Sequence, residues 1–226
     1  MKFPTTADWK LPPSQLALRA GEVHVWRAQL SEADPIASGQ ALSPAEWIRA
    51  QRYHFRRDRD RFIAGRGLLR TILGRYLNMD PVEVRFTQGQ QGKPELAGMC
   101  SSLRFNLSHS DDLMLVAVAH ARAVGIDLEL MREDVPFQEL ADYYFEPEDA
   151  WKLRLLPAPE RAWQFYEVWT STEARLKASG QGISGGLKVL EPDRWSLLKL
   201  SPATGYTAAL AVEGGDFQLE CWSWPK

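Results

Sequence analysis

FNLSHSDDLMLVAVA (residues 105–119) and LKLSPATGYTAALAV (198–212), laid over one another without gaps, share a Leu-Ser pair, a short turn and an apolar run. The run from Leu113 to Ala119 reads as a buried strand, because its side chains are apolar in both directions rather than alternately. Working outward, a strand and a long helical stretch precede each segment. Val23 to Leu30 (VHVWRAQL) alternates as a strand does, and Ser43-Pro44-Ala45-Glu46 reads as the start of a helical stretch that meets no proline before Leu77. Val124 to Leu130 (VGIDLEL) is the second such strand, followed by a mostly helical 137–179 broken at the prolines of 157–159. The helical segments RFIAGRGLLR (61–70) and VWTSTEARLK (168–177) also match, placing Arg66 opposite Glu173 and Arg70 opposite Lys177. Short strands are expected over Val82–Thr87 and Leu103–Leu107, around a turn at Gly92-Lys93-Pro94, and a glycine-rich passage follows at 182–186. The repeated order predicts a duplicated α+β fold of two pseudo-symmetric halves, 1–121 and 122–226, with a cleft between them.

The bulk properties agree with a globular protein. Of 226 residues, 45% are hydrophobic and 25% charged, which suits a buried core and excludes collagen-like, disulfide-framework and disordered chains. A formal charge of −2 excludes a polycation built for nucleic acid. Cys100 and Cys221 match no metal spacing and are expected as reduced thiols. The beginning, MKFPTTADWKLPP, lacks the apolar run of an export signal, and Leu113–Ala119 is too short to span a bilayer. A soluble, cytoplasmic protein is the expectation.

Four groups of residues carry chemistry. In Gly125-Ile126-Asp127-Leu128-Glu129, strand alternation puts Asp127 and Glu129 on one side, their Cβ atoms about 6–7 Å apart, and Ile126 and Leu128 on the other. Adjacent carboxylates repel unless a cation lies between them, and hard oxygen ligands suit Mg²⁺; a solvated acidic edge is the plain alternative. In Trp169–Lys177, Glu173 and Lys177 stand at i and i+4 on one helix face, with Trp169 one turn earlier. That pair is either a surface ion pair or part of a face drawn into the protein. Phe105–Ser110 places Ser108 and His109 at a strand end, where hydroxyl, imidazole and backbone N–H groups can grip an anion or simply make a turn. Finally, Arg49 to Arg70 holds eight arginines against Asp58 and Asp60, a net of +6 in a chain that totals −2. Arg66 and Arg70 fall on the apolar side of that helix, and arginine's planar fork suits phosphates.

Taken in order, GKP (92–94), FNLSHS (105–110), VGIDLE (124–129) and WTSTEARLK (169–177) resemble the signature of the Sfp-type 4′-phosphopantetheinyl transferases, across residues 45 to 185. The resemblance implies a monomer of two pseudo-symmetric α/β halves with coenzyme A in the cleft between them. It implies transfer of the phosphopantetheine arm to a serine of an acyl or peptidyl carrier protein, with Mg²⁺ and with release of adenosine 3′,5′-bisphosphate. Residues 1–121 would form the nucleotide-binding side and 122–226 the metal and catalytic side. Asp127, Glu129 and Glu173 would hold the Mg²⁺. Lys177 would contact the pyrophosphate, and Arg66, Lys93, Ser108 and His109 the nucleotide end. Glu173 is the expected base, acting directly or through a water. One departure stands out: the family's lysine before that glutamate is Thr172 here, and Arg175 is the candidate to replace its charge.

Two other classes fit part of the pattern. A polyanion-binding module would use the arginine helix but leave three carboxylates idle against a phosphate backbone. A serine hydrolase would use Ser108 and His109, but adjacent residues on a strand point apart and no G-x-S-x-G elbow surrounds the serine. Neither nucleic acid nor membrane is an expected partner. In 131–149, Val135, Phe137, Leu140, Tyr143, Tyr144 and Phe145 exceed what one helix face can bury. Leu140 and Tyr143 are expected in the core, and Phe137 on an exposed carrier-docking patch flanked by Arg175 or Lys152.

Overall fold

The computed structural model describes residues 7–89, 93–98, 102–180 and 191–225. Gly92, Cys100 and the passage 182–186 lie outside them. Strands are β1 (Trp9–Lys10), β2 (Glu22–Gln29), β3 (Phe86–Gln88), β4 (Pro94–Leu96), β5 (Leu103–Ser110), β6 (Leu113–His120), β7 (Val124–Leu130), β8 (Trp195–Leu200), β9 (Tyr206–Glu213) and β10 (Gln218–Ser223). The α-helices are α1 (Pro35–Gln40), α2 (Pro44–Ala50), α3 (Arg56–Leu77), α4 (Phe137–Tyr144), α5 (Pro147–Leu155) and α6 (Ala158–Ser179).

The duplication is present in the topology. In the first half a strand, a 22-residue helix and a hairpin give the sheet order β2-β6-β5; in the second, a strand, a 22-residue helix and a hairpin give β7-β9-β8. The register that sets Leu113 over Tyr206 also sets the strand ends, His120 and Glu213, over one another. The first sheet is extended on its other edge by β10 and β1, so the chain returns from the second half to pair β10 in parallel with β2.

The two sheets share a core. Val23 and Val25, the odd residues of β6, and Ile126, Leu128, Leu210 and Val212 pack together between them. Helix α3 covers the far face of the first sheet through Leu69, Ile72 and Leu73 against Met114, Val116 and Val118. Helix α6 covers the far face of the second through Ala174 and Ala178 against Ala209 and Ala211. Strand β6 is therefore buried on both faces, which is why its sequence does not alternate. Cys221 is a free, buried thiol, pushed up to about 12 by burial.

Two local expectations are corrected. The stretch from Ser43 to Leu77 is two helices, not one. Ser43 does cap α2 through a reciprocal Ser43–Glu46 box, but the chain turns at 51–55 before α3 begins. In one continuous helix Glu46 and Arg66 would stand about 30 Å apart. The turn lets Glu46 lie against Arg66 and Arg70 instead, with Arg66 Nη2 at 2.6 Å and Arg70 Nε at 2.7 Å from its carboxylate. The expected strand at 82–87 is a 3₁₀ turn at Pro81–Glu83 followed by a small separate hairpin of β3 and β4. Among the described residues no helix is long and apolar enough to cross a membrane.

Candidate active site

The site begins with a glycine. A side chain at Gly125 would collide with the carbonyl of Ala174 and the nitrogen of Ala178, so only glycine lets the α6 backbone lie directly on β7. That approach brings Glu173 and Lys177, one turn apart on α6, over Asp127 on β7. Lys177 Nζ is 2.6 Å from Asp127 Oδ1 and 3.0 Å from Ser108 Oγ. Trp169, a further turn back, packs on Phe165 and meets Tyr144 edge-on, so this face of α6 is indeed drawn inward.

Three carboxylates, Asp127, Glu129 and Glu173, lie near enough to repel one another. Asp127 and Glu173 are buried, and Asp127 Oδ2 and Glu173 Oε1 find no hydrogen-bond partner among the described residues. Burial first, then Asp127 and Glu129, raises Glu173 to about 7. Glu129 is also raised, by burial and then by Asp127, against the pull of Ser110 and Lys177. Orphaned buried oxygens on mutually repelling acids suit a hard divalent cation. Among the described residues no three His, Cys, Asp or Glu side chains are drawn together around a single ion position. The ammonium of Lys177 is the positive charge inside the cluster.

Strand β5 joins this site to the first half. Its even residues reach across to β7: Asn106 Oδ1 accepts from Ile126 N at 2.8 Å, Ser108 Oγ donates to Asp127 Oδ1 at 3.0 Å, and Ser110 Oγ donates to Glu129 Oε2 at 2.9 Å. Ser108 is therefore engaged with the carboxylate cluster. His109 points to the opposite face of β5, as alternation requires, and the two cannot act as a nucleophile and its base.

From Ser108 and Lys177 a cleft of about 890 Å³ runs between α3 and β5, lined on its cationic side by Arg49, Arg61, Arg66, Lys93 and His109. Each cation is placed differently. Arg66 is held by Glu46 and lies 4.7 Å over the ring of Phe86. Arg70 is buried and spends its guanidinium on Glu46 and on carbonyls including those of Pro81 and Val84, so it braces the fold. Lys93 donates to the Lys177 carbonyl at 2.6 Å and more weakly to that of Val124, tying the end of α6 to the start of β7. Burial, then Lys177, holds its ammonium below the usual range. Desolvation by the cleft walls, then Lys177 and Arg61, lowers His109. Arg57 and Arg61 share Asp111 at 2.8 Å each, so much of the arginine helix is neutralised by carboxylates of the protein itself.

Sequence reasoning passed over Ser110, Asn106 and Glu46. The first two lie on the same face of β5 as Ser108, a period-2 signal that was available. Glu46 read only as a cap.

Around 131–149 the exposed and buried aromatics are interchanged relative to expectation. Phe137 packs on Phe165 at 5.2 Å and on Tyr166 at 5.8 Å within the aromatic cluster under α4–α6. Tyr143 is 81% exposed, and Trp151 and Leu155, on one face of α5, are 58% and 63% exposed. Thr172 donates to the Val168 carbonyl within α6, and the buried Nε of Arg175 has no hydrogen-bond partner among the described residues.

This combination of a duplicated α+β fold, a carboxylate cluster with a lysine, and a cation-lined cleft is that of a phosphoryl-group transfer enzyme. Residues 25–121 match the family described as 4′-phosphopantetheinyl transferase, N-terminal, and residues 123–220 match the 4′-phosphopantetheinyl transferase superfamily. The chain belongs to that superfamily and is a 4′-phosphopantetheinyl transferase. It is 40% identical over 230 residues to the 4′-phosphopantetheinyl transferase HetI of Nostoc sp., covering 95% of this chain and 97% of that protein. It is 31% identical over 190 residues to a phosphopantetheinyl transferase of Thraustochytrium sp., covering 78% of this chain and 65% of that one. To the 4′-phosphopantetheinyl transferase Sfp of Bacillus subtilis it is 27% identical over 144 residues, 63% of this chain and 62% of that one.

Proposed function

We propose that this enzyme transfers the 4′-phosphopantetheine arm of coenzyme A to a serine of an apo acyl or peptidyl carrier protein, releasing adenosine 3′,5′-bisphosphate, with Mg²⁺. One arrangement supports the reading: Ser108 and Lys177, which bond Asp127 of the carboxylate cluster, line a cleft that also presents Arg61, Arg66 and His109. Coenzyme A carries a pyrophosphate in its middle and a 3′-phosphate at its nucleotide end, and the cations lining the cleft suit those charges. The first half then serves the nucleotide and the second the reacting phosphate.

The donor chemistry of the carboxylates fits a magnesium ion: Asp127 and Glu173 each offer an unpartnered buried oxygen, and Glu129 is close enough to repel both. Bound there, magnesium would neutralise charge building on the pyrophosphate oxygens. The chain's own residues do the rest. Glu173, its carboxyl raised to about 7, takes the proton of the attacking serine in its ionised form. The serine oxygen bonds to the β-phosphorus as its bond to the bridging oxygen of the nucleotide breaks. Lys177 moves its ammonium from Asp127 to the departing phosphate, where a charge-assisted bond is strongest as charge accumulates. Arg66, fixed on Glu46 and Phe86, and His109 hold the nucleotide end.

The test is direct. Incubation with apo carrier protein, coenzyme A and Mg²⁺ should raise the carrier's mass by one phosphopantetheine, and Asp127→Ala should abolish the gain while remaining folded. Unchanged turnover in that variant, or full activity in excess EDTA, overturns the assignment.

A further inference from the structure

Strands β5 and β7 are the facing edges of two different sheets. What crosses between them is a row of side chains, from Asn106, Ser108 and Ser110 on the one to residues 126–130 on the other. Along that row Ser110 is the only member that bonds to both a carboxylate and a backbone N–H of β7 among the described residues. Its Oγ accepts from Leu130 N at 3.0 Å and donates to Glu129 Oε2 at 2.9 Å.

A serine hydroxyl has one proton to give. A backbone N–H can only donate, so the bond from Leu130 occupies a lone pair of the oxygen and leaves the hydroxyl proton for the carboxylate. The direction of the Ser110–Glu129 bond is thereby fixed by the backbone of the strand that carries Glu129. This matters because Glu129 has reason to leave. It is half-buried beside Asp127, repulsion between the two favours separation, and a glutamate side chain has the length to swing out to water. Asp127 has Lys177 and Ser108 to hold it; Glu129 is held by a side-chain bond from Ser110.

We infer that Ser110 is a positioning residue: it fixes Glu129 beside Asp127 and Glu173 so that the three acids present themselves together to a cation. The inference rests on the reading of those acids as a magnesium site, and it extends that reading to a residue that is not itself one of the acids. Groups that orient a metal ligand typically account for 10–100-fold in affinity.

The experiment measures Mg²⁺ affinity calorimetrically on the full chain with coenzyme A present, beside the Mg²⁺-dependent rise in Tm, for wild type, Ser110→Ala, Ser110→Thr, Glu129→Gln and the Ser110→Ala/Glu129→Gln double variant. Ser110→Ala should weaken Mg²⁺ by about tenfold or more. Ser110→Thr, which keeps the hydroxyl, should restore the affinity. Because Ser110 acts through Glu129, Ser110→Ala should cost nothing further once Glu129 is glutamine. An additive loss in the double variant, or a threonine that fails to rescue, overturns the positioning role while leaving the metal site standing. Unchanged affinity in Glu129→Gln, or no Mg²⁺ response in wild type, overturns both. If Ser110→Ala does not fold, the inference stands on Ser110→Thr against Ser110→Cys: the thiol, a weak hydrogen-bond donor, should bind Mg²⁺ less tightly than threonine, and equal affinities overturn it.

Discussion

The ammonium of Lys177 lies 2.6 Å from Asp127 Oδ1 and is the counter-ion of the carboxylate cluster. A resident cation at that position competes with any metal that the cluster could bind. In Lys177→Met the three acids lose this compensation, so Mg²⁺ should bind more tightly in the absence of coenzyme A, by about tenfold for every 1.4 kcal/mol of competition removed. Transfer should nevertheless fall by about 10²-fold, because the departing phosphate loses its donor. Calorimetric titration of Mg²⁺ into the free protein, beside turnover, checks both. Weaker metal binding in the variant would show that Lys177 supports the metal site rather than opposing it.

Glu173 makes stability depend on pH in a stated direction. It titrates at about 7 in the folded protein against 4.5 for an ordinary glutamate. Between those values the folded state keeps a proton that the unfolded chain has lost, so the metal-free protein loses stability as pH rises through that window. Thermal denaturation in EDTA should show a falling Tm from pH 4.5 to 7, and Mg²⁺ should reduce the slope. Glu173→Gln should flatten much of the decline, raise Tm at pH 7 and abolish transfer. A wild-type Tm that rises across the same window contradicts the assignment.

On the cationic lining of the cleft, Arg66→Ala and His109→Ala should weaken coenzyme A far more than 3′-dephospho-coenzyme A. Loss of a charge-assisted hydrogen bond to the phosphate costs about 1.5–3 kcal/mol. Because Arg66 also pairs with Glu46, Arg66→Ala should lower Tm as well, whereas His109→Ala should not. Equal loss for both ligands would mean that neither residue holds the 3′-phosphate.

The exposed aromatics of α4 and α5 move the expected carrier contact. Trp151→Ala should raise the KM for carrier protein several-fold and leave that for coenzyme A and Tm near wild type. Phe137→Ala, which empties a place between Phe165 and Tyr166, should cost about 3 kcal/mol of stability instead. An unchanged carrier KM in Trp151→Ala places docking on another face.

What the chain's local order determined was the part governed by neighbours in sequence. Leu113–Ala119 reads as a two-sided buried strand, Ser43 as a cap, Asp127 and Glu129 as partners on one face and Glu173 and Lys177 as partners on one helix turn, because strand and helix periods fix each of these within a few residues. Order along the chain carried the motifs as well, and with them the family. The tertiary structure decided everything that depends on which distant surfaces meet. Glu46 meets Arg66 only because α2 turns back on α3. Ser110 meets Glu129 only because two sheet edges abut. Lys93 meets the carbonyl of Lys177 across the cleft, and β10 returns to β2 across the whole chain. Phe137 and Tyr143 have much the same local environment in sequence, yet one is packed and the other 81% exposed, since the aromatic face of α6 covers only one side of α4. Burial is a property of the partner surface, and no period along a single helix specifies which of its apolar residues that partner will cover.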